Sequence, residues 1–331
     1  MRLRGLWLPF ILTYLGTAVS QDAVALFGGT YPPYGYMNNE VEVWSRSSSC
    51  KLEIPSTPDL FQEFQDGPGA AVLDDNIYVC GGYRMHGTTR TCDIYSMTDK
   101  TWYAGPSLYN EYPMKVNLAT AGSRLVAAYT IENSTHGEYW QTTDQLVVSV
   151  LDPETSPQWS VLTVLKCDDC WYFLEEIGQV DENHVAFAKV GRPDYPPNNH
   201  SEALHVVNIE TGKVTNVDTP NNDPCNNPLV FNGLFSCIFE PDPWTRILHS
   251  LTFNGEDGLQ HEWTEISSFT KIDYYNPIRG PFLQLDGKLT ALGSVRIGII
   301  YWKDELEDEG WNLAKIEIPR DNFAWTILQC N

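Results

Sequence analysis

Two cysteines separated by two aspartates, Cys167-Asp168-Asp169-Cys170, carry the spacing of a thiol and disulfide redox pair. That chemistry needs a stabilised thiolate, which positive neighbours or a helix N-terminus supply and flanking carboxylates oppose. A short structural disulfide is the reading for this pair, with a redox or metal role as the alternative. A metal oxidase centre would need imidazoles brought together, yet His86, His136, His184, His200, His205, His249 and His261 are scattered along the chain. The close couple, His200 and His205, stands at an odd spacing, which on a strand sends the rings to opposite faces. No G-x-S-x-G, H-E-x-x-H or phosphate-cradling glycine loop occurs. With 43 Asp and Glu residues, acid and base pairs could be drawn anywhere, so carboxylates alone identify no site. The run Asp304 to Glu309 reads as a solvated loop between outer strands, with calcium coordination the alternative. No catalytic residue, metal ligand or cofactor is assigned.

Charge and composition narrow the partners. Only 21 Lys and Arg oppose those 43 acids, a formal net charge of -22. Phosphate backbones and anionic headgroups are bound by clustered Lys and Arg, so nucleic acid and anionic lipid are expected to be repelled. Acidity of this size keeps a protein soluble.

The first twenty residues read as a secretory signal peptide: Arg2 and Arg4, an apolar run from Leu6 to Leu15, then Ala18-Val19-Ser20 with cleavage expected after Ser20. That run is shorter than the roughly 20 residues of a membrane span, and the later stretch from Leu289 to Trp302 is broken by Arg296. Residues 21–331 are therefore expected to form one secreted domain without membrane insertion. All 8 cysteines lie beyond the cleavage point, which suits an oxidising compartment. Asn133-Ser134-Thr135 and Asn199-His200-Ser201 are N-glycosylation acceptors that fit the same compartment.

The elements that must position any site are strands. Long amphipathic helical stretches are absent, while β-branched and aromatic runs bounded by Gly, Pro, Asn and Asp recur throughout. They form a unit of roughly 40 to 50 residues, the length of a propeller blade. Residues 68–108 display it best: Ala70 to Leu73, a turn at Asp74-Asp75-Asn76, Ile77 to Cys80, Gly81-Gly82, Cys92 to Ser96, and a last strand near Trp102. This run, with its diglycine, long loop, Tyr95 and Trp102, resembles a kelch repeat. In that family the glycines allow close backbone approach and the aromatic pair packs between blades.

Residues around Gly28-Gly29 and Trp44 repeat the pattern but begin directly at the diglycine strand. The missing strand is expected at the other end of the chain, where Asn322 to Cys330 is a lone apolar strand. Closing the ring by placing that tail in the first blade is what the kelch resemblance implies, and it removes a frayed edge. Residues 115–162 carry Ala127-Ala128 at the expected diglycine; residues 172–219, 228–268 and 281–318 keep the rhythm, with Trp159, Trp263 and Trp311 as late aromatics. The fold expectation is an all-β, six-bladed kelch-like β-propeller closed by a C-terminal strand in the first blade. Within it, Cys80 and Cys92 fall on neighbouring strands, Cys225 and Cys237 bracket a hairpin, and Cys50 and Cys330 are the remaining distant pair.

The resemblance also implies that the loops leaving the diglycine strands share one face and contribute to partner binding. These loops are rich in Tyr, Trp and Arg, the residue types enriched at binding hot spots: Tyr34, Tyr83, Arg84, Trp140, Arg192, Tyr195, Trp244 and Arg296. Converging arginines would make a basic spot able to hold a carboxylate or sulfate through forked hydrogen bonds; the alternative is that each pairs locally with an acid. The kelch-like copper radical oxidases need a histidine-rich centre that the scattered histidines do not supply. The expected function is a secreted, non-enzymatic module that binds an extracellular protein or glycan through one propeller face. The alternative is an extracellular hydrolase or oxidoreductase with its site at the channel mouth. The sequence carries no signature of oligomeric state.

Overall fold

The computed structural model describes residues 21–28, 30–31, 36–37, 40–46, 50, 52–56, 68–84, 87–109, 113–131, 143–170, 173–190, 204–223, 225, 227–242, 245–254, 260–270, 281–292, 299–306, 311–315 and 324–330. Six antiparallel sheets follow one another as the blades of a propeller. Blade 2 shows the plan, with Gly69–Leu73 at the axis, then Asn76–Cys80, Cys92–Ser96 and Thr101–Ala104 outward. Blades 3 to 6 repeat this order in sequence, beginning at Pro113–Ala121, Phe173–Asp181, Asn227–Phe231 and Phe282–Leu285.

Blade 1 closes the ring as expected. The C-terminal strand Ala324–Cys330 takes the axial position and pairs antiparallel with Gln21–Phe27 from Gln21 opposite Cys330 to Phe27 opposite Ala324. Val41–Trp44 pairs on the other side, and among the described residues this blade has three strands where the others have four.

The packing explains why the strands read as they do. The first three strands of blade 2 are buried almost throughout, because a neighbouring blade covers each sheet face, while the outer strand Thr101–Ala104 is mostly exposed. Along Asn76–Cys80 the side chains alternate: Ile77 and Val79 join a cluster with Ala25, Phe27 and Leu328 of blade 1, whereas Tyr78 and Cys80 join one with Val116, Leu118 and Tyr129 of blade 3. The same division recurs around the ring, giving six apolar clusters, one at each blade junction.

Neighbouring axial strands run in the same direction. Gly69 lies beside Val116 and Leu118, and farther along, Thr120 Oγ1 donates to the Val72 carbonyl at 2.5 Å. Every turn between a first and a second strand therefore lies on one rim, as the contact of Gly122 with the Glu182 carbonyl and the paired amides of Asn232 and Gln284 also show. Every connection from a second to a third strand leaves from the opposite rim.

The diglycine has two causes. Gly81 and Gly82 adopt φ of 78° and 100°, and a Cβ on Gly81 would fall 2.3 Å from Val116 Cγ2. One expectation needs correction: Ala127-Ala128 does not stand at the diglycine position of blade 3. Counted from the first turn, the registers Leu73 with Asn76 and Ala121 with Arg124 align Gly81-Gly82 with Tyr129-Thr130, and the strand Arg124–Ile131 runs straight through. Ala127 and Ala128 are mid-strand residues, fully buried on opposite faces of the sheet.

Among the described residues, three disulfides staple the sheets. Cys80 and Cys92 are directly opposed across the second and third strands of blade 2, with Cα atoms 4.0 Å apart. Cys225 precedes the first strand of blade 5 and joins Cys237 in the second, at 5.3 Å. Cys50 joins Cys330 at 5.5 Å, which locks the C-terminal strand into blade 1. Such bonds are compatible with an extracellular protein. No helix among the described residues is long and apolar enough to cross a membrane.

Candidate functional site

The axial strands of all six blades surround a central cavity of about 410 Å³. Its lining is apolar or neutral: Ala70, Val72, Leu118, Ile177, Leu229 and Leu283 alternate with Asn117, Thr120, Gln179, Gln284 and Thr326. Several of these polar groups are turned to the scaffold. Gln284 exchanges hydrogen bonds with Asn232 at 2.6 and 2.8 Å, and Gln179 Nε2 donates to the Asp181 carbonyl. No titratable side chain is among the described lining residues, so a general acid or base would have to come from outside this wall.

Groups whose protonation is shifted lie in the sheets instead. Burial raises the Tyr78 phenol above the ordinary tyrosine range, with Tyr103 and Asp74 adding to it. Burial lowers His249, against an opposing pull from Glu265; its ring packs edge-on to Phe239 at 5.3 Å. Asp152 is lowered first by its side-chain hydrogen bond with Thr155, and it accepts from the Glu154 and Thr155 amides and from Arg124. His205 is held by Asn216 at 2.8 Å and packs near Phe187, a structural setting. Among the described residues, no group of three or more His, Cys, Asp or Glu side chains is gathered to hold a metal ion.

The rim opposite the first turns is where the second strands end: Phe27, Cys80, Ile131, Val190, Phe239 and Ala291. All eight residues singled out from the sequence lie in the chain segments that follow these six ends, one segment per blade. Tyr83 and Arg84 form a two-residue strand paired with Gly87–Thr88. Tyr34, Trp140, Arg192, Tyr195, Trp244 and Arg296 lie outside the described residues, as do Asn133 and Asn199 and residues 1–20. Cys167 and Cys170 fall in the last part of the long outer strand Ser156–Cys170 of blade 3, with Thr143 opposite Cys170.

Other basic residues are used within the scaffold. Arg246 is buried, bound to Glu240 at 2.8 Å and set over Phe282; Lys303 is buried over Phe269 and Trp311. Arg124 bridges Asp152 and Glu210.

A second cavity, of about 450 Å³, opens at the junction of blades 6 and 1 on the rim of the first turns. Trp44, Ser45, Arg46, Asp286, Trp302 and Ala314 line it. The sequence reading passed over it, although Trp44 and Trp302, each the last residue of a third strand, were a visible signal.

Residues 67–109, which span blade 2, match the family model described as the Kelch motif. No curated protein matches the chain.

Proposed function

We propose that this six-bladed β-propeller, with its Kelch motif at residues 67–109, is a secreted, non-enzymatic binding module that takes an extracellular protein or glycan on one propeller face. The observation that carries this reading is topological: six second strands end on one rim, and the segments that leave them hold Tyr34, Tyr83, Arg84, Trp140, Arg192, Tyr195, Trp244 and Arg296. Connections on a rigid scaffold are where proteins carry recognition, and Tyr, Trp and Arg dominate binding energy. With a net charge of -22 on the whole chain, arginines carried by those segments would favour an acidic group by contrast with the rest of the surface.

Secretion rests on the N-terminal pattern of residues 1–20, the acceptors Asn133 and Asn199, and the three disulfides, all of which suit the same oxidising compartment.

The test is capture from extracellular fluid, alongside a glycan array, with the purified chain and its Arg84→Ala, Arg192→Ala double variant. The expected result is one retained partner class, with at least about tenfold weaker binding by the double variant. Unchanged affinity in a variant that folds normally discards the proposed face.

A further inference from the structure

We infer that Arg90 and Tyr109 anchor the partner on its rim, and that they take a protein segment carrying a carboxylate beside an apolar side chain. This rests on the reading of the rim of second-to-third-strand connections as the partner face, and it adds two residues and a partner chemistry that the reading did not contain.

Both side chains are available. Among the arginines whose side chains are described, Arg46 is paired with Asp304, Arg124 with Asp152 and Glu210, and Arg246 with Glu240. Arg90 differs: it is exposed, and it has no acidic partner among the described residues. The connection from Gly81 to Thr91 that carries it holds Arg84 and Arg90 and no Asp or Glu, in a chain of net charge -22. Tyr109, at 66%, is the most exposed large apolar side chain among the described residues.

The backbone sets the two next to each other. Gly81 N–H donates to the Thr91 carbonyl at 3.0 Å and Thr89 N–H to the Gly82 carbonyl at 2.9 Å, so the pairing of blade 2 continues past the Cys80–Cys92 disulfide onto the rim. The hydroxyls of Thr89 and Thr91, on either side of Arg90, meet at 3.0 Å. The Arg90 carbonyl accepts from the amide of Leu108, the residue before Tyr109, at 2.7 Å. Leu108 is itself buried at the junction of blades 2 and 3, and the segment leading to it is pinned twice more, by Gly105 N–H on the Cys92 carbonyl at 2.8 Å and by the Trp159 indole on the Pro106 carbonyl at 3.1 Å. Arg90 and Tyr109 thus stand on main chain that is already ordered, which leaves little backbone entropy to lose on binding.

The chemistry of the pair selects the partner. A guanidinium gives a carboxylate two parallel hydrogen bonds, and a phenol ring largely out of the core gives a neighbouring side chain an apolar face. Arg and Tyr are residue types that dominate interface energies. The charge of the whole chain disfavours a sulfated polymer, which would be repelled along its length; a segment with one carboxylate among apolar groups meets that repulsion at a single charge.

The experiment selects a phage-displayed library of random dodecapeptides on the purified full chain and measures the enriched peptides by fluorescence anisotropy, with heparin as the polyanion control. The expected result is peptides in which Asp or Glu adjoins an aromatic or aliphatic residue, their binding weakened about tenfold or more by Arg90→Ala and by Tyr109→Ala. Both substitutions remove exposed side chains, and unchanged unfolding midpoints verify that the fold is kept. Changing the peptide's acid to its amide should weaken binding to the unmodified chain by a similar factor and have no further effect on Arg90→Ala. The inference is overturned if no peptide binds, if only heparin binds, or if binding survives both substitutions. Peptides that ignore Arg90→Ala and Tyr109→Ala but are lost with Arg84→Ala and Arg192→Ala would overturn the anchor and leave the partner face standing.

Discussion

The indole N–H of Trp159 donates to the main-chain carbonyl of Pro106 at 3.1 Å, tying the outer strand of blade 3 to the connection that leaves blade 2. The bond joins residues far apart in sequence and repeats as Trp102 with Pro55 and Trp263 with Asp218. It gives the late aromatic of blades 2, 3 and 5 a job: the ring covers the apolar junction while its polar edge satisfies a backbone carbonyl.

Replacing Trp159 with Phe keeps most of the ring and removes the donor. The expected loss is about 1 kcal/mol, whereas Trp159→Ala should cost about 3 to 5 kcal/mol because the side chain is buried between blades 2 and 3. Urea unfolding midpoints of the two variants check this, and equal losses would show that the bond adds nothing beyond packing.

Gly81→Ala should destabilise by about 1 to 3 kcal/mol, since φ of 78° disfavours a side chain and the new Cβ would collide with Val116. Adding Val116→Ala relieves the collision but not the backbone strain. A double-mutant cycle should therefore give a positive coupling that recovers part of the loss.

The disulfides should differ in weight. Cys50–Cys330 spans 280 residues and Cys80–Cys92 spans 12, which in the chain-entropy model is worth about 6 against about 3 kcal/mol. Cys330→Ser should accordingly lower the thermal midpoint more than Cys92→Ser. It should also make the C-terminal strand the first region cut by limited proteolysis, since that strand closes the ring.

Acid should weaken the fold partly through His249. Burial depresses its folded pKa below the ordinary histidine value of about 6.5, so the unfolded chain takes up the proton first. The stability that the neutral ring contributes is complete above that value and declines as the pH falls toward and through the depressed folded pKa. His249→Phe should flatten the fall in unfolding midpoint between pH 7.5 and 5; an unchanged slope would assign that fall to other groups.

Much of the fold was legible because propeller blades are local. Each hairpin is a strand of period two, a polar turn and a second strand, and residues 68–108 contain all of these within one unit. The lone strand at Asn322 to Cys330 told where the ring closes, because an apolar strand without a partner must find one. Blade 3 was harder to read: alanine pairs and glycine pairs look alike as small residues, and only the register from the first turn showed that Ala127 and Ala128 belong inside a strand.

By itself the sequence determined the strand rhythm, the six units, the segments rich in Tyr, Trp and Arg, and the cysteines that could pair, since each depends on neighbours within one blade. Only the tertiary structure decided what meets across the closed ring. Asp22 and Asp286 each accept the other's amide N–H, at 2.7 and 3.0 Å, and Arg46 reaches Asp304 beside Trp302. Those contacts join the two ends of the chain, and no local pattern specifies them. They form because blade packing brings the last unit against the first, so that Trp44 and Trp302 meet beside the Arg46–Asp304 ion pair.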